Sequence, residues 1–141
     1  GDGSEKNNLM QKVNALKISQ RVWFYGACYD EEKNAELIYN SDICISPGNV
    51  GLTAMHAMIY GTPVITHSDF KWQMPEFEAI KPGETGAFFD FDYLDSLVDC
   101  ITIWLKENAS KREIIRDNCY REIDNNWTPM FQMNIIKKHI K

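Results

Sequence analysis

The chain has 141 residues, 44% of them hydrophobic and 25% charged, with a formal net charge of −5. That length and composition are typical of one globular domain with its own core, and the acidic balance argues against a nucleic-acid-binding protein. No apolar run approaches the roughly 18 residues that cross a bilayer, no signal peptide opens the sequence, and the cysteines lack Cys-x-x-Cys spacing, which together favour a reducing, cytoplasmic setting.

The predicted elements of the first half alternate between helices and strands. Apolar residues recur at helical spacing in three segments, at positions 3–19, 30–42 and 51–61. Short β-rich or continuous apolar runs predict strands at "RVWFYG" (21–26), "DICIS" (42–46) and "PVITHS" (63–68). Gly61 is expected to end the third helix, as glycine often does just past a helix terminus.

The second half begins with a loop, residues 69–86, that is predicted to contain a short helix at Pro75–Ile80. "AFFDF" (87–91) is the last predicted strand, and helices are predicted at 92–108, 110–123 and 128–141. The first of these three helices is expected to place its apolar residues on one side, at Leu94, Leu97, Val98, Ile101 and Leu105.

Strands that alternate with helices predict an α/β fold, with a Rossmann-like parallel sheet and helices on both of its faces. The strand candidates read as near-continuous apolar runs, as strands do when helices cover both faces of a sheet. The helices at the end of the chain complete the predicted domain.

The turn after "DICIS" is the first candidate site. Ligands of such sheets bind beyond the carboxyl ends of the strands. Glycines there let backbone N–H groups approach a ligand, and the N-terminus of the following helix adds a partial positive charge. The pattern predicts a phosphate site, whose residues are Pro47, Gly48, Asn49, Val50, Gly51, Leu52 and Thr53. A tight turn without a ligand is the alternative interpretation.

Several stretches together resemble a known family. These are "VWFYG", "NSDICISPGNVGLTAMHAMIYGTPVIT" and "PEFEAIKPGETGAFFDF". They are similar to the C-terminal, donor-binding half of GT-B glycosyltransferases of the retaining, glycogen-synthase-like (group 1) type, from Gly1 to about Leu105. The resemblance implies transfer of a hexose-type sugar from a nucleotide-diphosphate sugar with retention. It also implies that no metal and no cofactor takes part, because the helix N-terminus and basic groups stabilise the leaving diphosphate.

Two positions depart from the family pattern. The family has two glutamates eight positions apart, which contact the donor sugar and the ribose hydroxyls, and alignment places Gly48 and His56 there. Glycine has no side chain to contact a sugar, and neutral histidine offers one donor and one acceptor instead of two acceptor oxygens. The resemblance therefore implies weaker or differently built donor binding. His56 either contacts the ligand or packs against a neighbouring strand.

The resemblance starts after the family's first two strands, so the family's phosphate-binding arginine and lysine and its acceptor-binding domain are expected outside this chain. Residues 1–141 are expected to form one incomplete C-terminal domain that is inactive alone. Without the missing strands "DICIS" would present an open edge, which predicts that "VWFYG" lies beside it or that two chains associate there.

Three further residues complete the predicted site. Gln73 and Glu76 follow a strand end and are expected to contact the sugar or phosphates, Glu76 as part of the family's "PE" pair. Gly26 is expected to line the nucleotide pocket. A surface loop whose aromatic residues pack onto the domain is the alternative for the segment that holds Gln73 and Glu76.

The expected ligands are a nucleotide-sugar donor and a sugar or glycoconjugate acceptor, in polysaccharide or glycoconjugate biosynthesis. The expected location is the cytoplasm, with peripheral association of the whole enzyme at the inner face of the membrane. Two alternatives stay open: a GT-B sugar-nucleotide epimerase, and a non-catalytic module that binds a nucleotide or sugar.

Overall fold

The structure, a computed structural model, describes residues 2–140. Two compact units make up the chain, Gly1–Glu36 and Leu37–Lys141. Within the described residues, no helix is both long and apolar enough to cross a membrane.

The first unit is helical. It contains α1 (Lys6–Ala15), a 3₁₀ turn (Ser19–Arg21) and the beginning of α2 (Glu31–Tyr39). Both helices fall where helical spacing predicts them. The Asp2 carboxylate accepts hydrogen bonds from the Ala27 N–H at 3.1 Å and from Lys6 Nζ at 2.6 Å, so polar contacts connect α1 to the segment before α2.

The prediction of a strand at 21–26 is wrong. Residues 22–30 form neither helix nor strand, and Trp23 is 72% exposed, with its ring 4.8 Å from that of Tyr25. A β-rich run becomes a strand only when a neighbour pairs with its backbone, and no strand forms among residues 2–36. The expectation that this run would lie as a strand beside "DICIS" fails for the same reason.

The second unit contains a parallel three-stranded sheet in the order β1-β2-β3, flanked by helices, which confirms the predicted fold class. The strands are β1 (Cys44–Ile45), β2 (Val64–His67) and β3 (Gly86–Phe89). Helix α3 (Leu52–Ile59) connects β1 to β2, and two 3₁₀ segments, Phe70–Trp72 and Pro75–Ala79, lie between β2 and β3. The short helix predicted near Pro75 is therefore confirmed as a 3₁₀ segment.

The core of the second unit surrounds β2, whose four residues are all buried. Helix α3 contributes Ala54, Ala57 and Met58 to this core. The edge strand β1 is less covered, since Ile45 is 41% exposed. Central position in the sheet, not apolar sequence alone, therefore decides which strand is buried.

Helix α4 (Leu94–Asn108) packs on the core with only part of its predicted apolar side, since Leu97 and Ile101 are in contact with the core and the other three predicted residues are exposed. Leu94, Val98 and Leu105 are 71%, 52% and 42% exposed. The side chains that pack are Leu97, Cys100, Ile101 and Trp104, and Trp104 is only 5% exposed. Neighbouring apolar stripes on one helix share residues, so helical spacing alone does not show which stripe faces the sheet.

Two glycines are required by the packing of the second unit. A Cβ on Gly86 would lie 1.9 Å from the Val64 carbonyl oxygen in the neighbouring strand. Gly61 has φ +75° and donates its N–H to the Met58 carbonyl at 2.9 Å, which ends α3 as predicted.

Two more helices, α5 (Arg112–Asn126) and α6 (Pro129–His139), lie where they are predicted. Burial of Ile115 and Cys119 joins α5 to the core. Thr128 Oγ1 accepts the Phe131 N–H at 3.2 Å and caps α6, with Pro129 in the first helical turn.

Candidate functional site

The turn between β1 and α3 is exposed at its tip. Pro47, Gly48 and Asn49 are exposed, whereas Val50 is completely buried. A Cβ on Gly48 would meet no described atom within 4 Å, so the space over that backbone is open. The turn is therefore anchored at Val50 and accessible at Gly48 and Asn49.

Helix α3 begins directly after this turn. Gly51 is its N-cap residue without a side-chain cap, and Leu52 and Thr53 in its first turn are exposed. The first N–H groups of a helix have no partner within the helix, and they attract negatively charged or acceptor groups. The predicted phosphate-binding residues 47–53 thus form one continuous, largely exposed segment at the carboxyl end of β1.

Gln73 lies against the turn, but its amide is used within the protein. Its Oε1 accepts the Val50 N–H at 2.6 Å. Its Nε2 donates to Thr66 Oγ1 and to the His67 carbonyl, both at 3.0 Å. The direct ligand contact predicted for Gln73 stays a prediction, and the observed bonds connect the turn to the end of β2.

Thr66 extends this connection. Its hydroxyl accepts from Gln73 and donates to the Gly48 carbonyl at 3.2 Å. The Met74 N–H donates to the Val50 carbonyl at 3.1 Å. Sequence reasoning missed Thr66, although a hydroxyl within the apolar run "PVITHS" was the available signal.

Glu76 places a carboxylate beside the start of α3. A Cβ on Gly51 would lie 4.0 Å from Glu76 Oε2, and this oxygen is buried without a hydrogen-bond partner among residues 2–140. A carboxylate only accepts hydrogen bonds, so this oxygen suits a hydroxyl or N–H group of a ligand and not a phosphate.

Two histidines lie near the ends of these elements. His56, on α3, is half-buried, with its ring 5.5 Å from that of Tyr60. His67, at the end of β2, is fully buried and accepts the Asp69 N–H at Nδ1 over 3.2 Å. His67 Nε2 is buried and has no hydrogen-bond partner in the part of the chain that the structure describes.

Gly26 belongs to the first unit. It has φ +90°, and a Cβ there would lie 3.5 Å from Asp2 Oδ1. Its predicted role in the nucleotide pocket stays a prediction.

A separate cavity of about 190 Å³ lies at the amino-terminal end of the sheet, where β1 and β2 begin. Pro63, Trp104 and Ile115 give it a largely apolar wall. Its cation, Arg112, already binds the Asp42 carboxylate at 2.8 Å and the Tyr39 carbonyl at 3.0 Å. The exposed turn after β1 is therefore better suited to a phosphate than this cavity.

Comparisons with known proteins identify the fold first. Sucrose-phosphate synthase from Thermosynechococcus elongatus superimposes with a TM-score of 0.75 at 24% identity, over 98% of this chain and 35% of that one. HepE from Anabaena, solved in complex with UDP, gives a TM-score of 0.70 at 20% identity, over 94% of this chain and 35% of that one. The chain thus has the fold of the C-terminal domain of GT-B glycosyltransferases, as the sequence predicts.

The family follows from the sequence comparison. The pattern of the family "Glycosyl transferases group 1" matches residues 1–122, so the chain belongs to this family. It is 28% identical to the O-antigen biosynthesis glycosyltransferase WclY of Escherichia coli over 147 aligned positions, which cover 87% of this chain. The chain spans 39% of the length of that relative.

Proposed function

We propose that this chain supplies the donor-binding region of a glycosyltransferase that moves a hexose-type sugar from a nucleotide-diphosphate sugar to an acceptor with retention. The observation that carries the proposal is the exposed turn at Gly48 and Asn49, which is anchored at Val50 just before α3, in a chain of the group 1 family. The UDP bound by HepE, a protein of the same fold, supports a nucleotide as the ligand.

The geometry suggests a division of roles within the site. Backbone N–H groups at the start of α3 would face the diphosphate, because the helix terminus favours negative charge. The carboxylate of Glu76, beside Gly51, would accept a hydrogen bond from a hydroxyl of the donor. Neither role requires a metal or a cofactor, and the acceptor sugar or glycoconjugate would bind elsewhere in the whole enzyme.

Binding of nucleotides to the whole enzyme that contains this chain is the direct test. Calorimetry and thermal unfolding are run with UDP, GDP and ADP and with their hexose derivatives. A ligand at 100 times its Kd stabilises the fold by about 2.7 kcal/mol, which gives a clear rise in the unfolding midpoint. Equal unfolding midpoints with every nucleotide and with none would contradict the proposal.

Gly48 offers a test of how the sugar is recognised. Because the space over Gly48 is open, Gly48→Glu is expected to fold normally and to supply a carboxylate at the turn. A charge-assisted hydrogen bond contributes about 1.5–3 kcal/mol, so affinity for the sugar nucleotide relative to the bare diphosphate is expected to rise about tenfold or more. Gly3→Glu is the matched control, since a Cβ on Gly3 also meets no described atom within 4 Å.

A non-catalytic binding module is the second candidate, favoured by the missing side chain at Gly48. Sugar transfer by the native protein, with the anomeric configuration of the product followed by NMR, separates the two candidates. Transfer with inversion would contradict the retaining mechanism, and nucleotide binding without transfer would favour the module.

A further inference from the structure

We propose that Gln73 and Thr66 are positioning residues that hold the donor-binding turn in its binding conformation. This inference rests on the proposed function. The side chains of these two residues are called the Gln73 brace. The brace joins the loop after β2 to the turn after β1, two segments that are distant in sequence and adjacent in the sheet.

The brace fixes the turn at two backbone positions. At Val50, the N–H is held by Gln73 Oε1 and the carbonyl by the Met74 N–H, so both polar groups of a fully buried residue are occupied. At Gly48, the carbonyl is held by the Thr66 hydroxyl. Asn49, between these positions, is exposed and is therefore presented to solvent by a backbone that is fixed on both sides.

The chemistry requires an amide at position 73 and a hydroxyl at position 66. Gln73 accepts with one end and donates twice with the other, which neither glutamate nor leucine can do. Thr66 accepts from Gln73 and donates to Gly48, and it is completely buried.

The consequence of the brace is preorganisation of a flexible segment. Glycine gives a turn more backbone freedom than other residues, and Gly48 has no neighbours that would restrict a side chain. A ligand that binds the backbone of a mobile turn must order the turn first, which reduces affinity. Loss of the buried Thr66 hydroxyl is therefore expected to weaken nucleotide binding by releasing the turn, without removing a predicted ligand contact.

The test compares Thr66→Val, which keeps the shape and loses the hydroxyl, with Thr66→Ser, which keeps the hydroxyl. UDP is the probe, with ADP and GDP measured in parallel by calorimetry at a temperature where each variant is folded. Thr66→Val is expected to lower UDP affinity about tenfold, and Thr66→Ser is expected to restore it. Gln73→Leu is expected to lower affinity at least as much as Thr66→Val.

Thr85→Val is the matched control. Thr85 is also buried and its hydroxyl makes two similar bonds, from the Lys81 N–H at 2.7 Å and to the Ala79 carbonyl at 2.8 Å, in the part of the β2–β3 connection that leads into β3. It is expected to lower the unfolding midpoint and to leave UDP affinity unchanged. Equal losses of affinity in Thr85→Val and Thr66→Val would overturn the positioning role.

Amide exchange in the free protein separates failure of the brace from failure of the proposed function. The Val50 N–H is expected to exchange slowly in the wild type and at least tenfold faster in Gln73→Leu. Unchanged exchange would overturn the brace whether or not nucleotides bind. Faster exchange with unchanged UDP affinity would overturn its role in binding, and a wild type that binds none of the nucleotides would overturn the proposed function itself.

Discussion

The two compact units differ in what holds them together. None of the residues 2–36 is buried, and Leu9, Met10 and Leu16 remain 48%, 41% and 68% exposed. The second unit has a continuous core around β2, and its candidate site is connected to that core through Val50. The difference teaches that helical spacing predicts a helix but not whether the helix is buried. It also shows that the exposed turn of the candidate site belongs to the unit with the packed core.

The largest expected effect is on the free energy of unfolding of the second unit. Gly86→Ala would place a Cβ 1.9 Å from a backbone oxygen of β2, so the two strands must separate. We expect a loss of about 3 kcal/mol or more in the free energy of unfolding, measured with urea. Gly3→Ala in the first unit, where no described atom lies within 4 Å of the new Cβ, is expected to change this free energy by less than about 0.5 kcal/mol. Similar values for both variants would remove the contrast between the units.

A smaller effect on the free energy of unfolding is expected when the pH is raised above 9. Burial raises the pKa of the Cys119 thiol from 9.0 to about 12, so between these values the folded chain keeps a proton that the unfolded chain loses. The contribution of this thiol to the free energy of unfolding is therefore fully present below pH 9. Above pH 9 that contribution falls by about 1.4 kcal/mol per pH unit. Cys119→Ala is expected to reduce that slope when unfolding is measured from pH 8 to pH 11. A parallel pH dependence in the variant would contradict this account.

The smallest effect is expected in the first unit. The pKa of the Asp2 carboxyl is lowered by the hydrogen bond from Lys6, by the hydrogen bond from the Ala27 N–H and by the charge of Lys6. These contacts therefore persist above the lowered pKa and are lost as the pH falls through it. Asp2→Ala is expected to speed exchange of the Ala27 amide and to leave the Val50 amide unchanged, whereas Asp2→Asn keeps one acceptor and is expected to have a weaker effect. Faster exchange at Val50 as well would show that the two units are coupled.

Sequence patterns predicted most elements because those patterns report local geometry. The helices recur near their predicted segments, and β2 was recognisable as a short apolar run before a turn. The run at 21–26 has the same composition as a strand, but pairing is a property of the neighbouring chain and not of the run itself. The same limit applies to α4, where the core selects Trp104 and leaves Val98 exposed.

The sequence predicted the backbone of the candidate site but not the side-chain contacts that hold that backbone in place. The glycines and the start of α3 follow from the strand–turn–helix pattern. The bond between Gln73 and Val50 joins residues 23 positions apart, and nothing in the mixed sequence of that loop specifies it. The buried oxygen of Glu76 is likewise a product of tertiary packing, so only the structure could place it beside Gly51.

The burial of Trp104 makes its intrinsic fluorescence a probe of the packing of the second unit. Its indole lies in the core of the second unit with 5% exposure, whereas Trp23, the single tryptophan of the first unit, is 72% exposed. Emission from an indole shifts to longer wavelength when water reaches it, so loss of the sheet packing produces a red shift from Trp104, while Trp23 already emits as a hydrated ring. Replacing Trp23 with phenylalanine would leave Trp72, Trp104 and Trp127, all in the second unit, as the emitting tryptophans. Comparison with circular dichroism would then show whether one cooperative transition describes the whole chain.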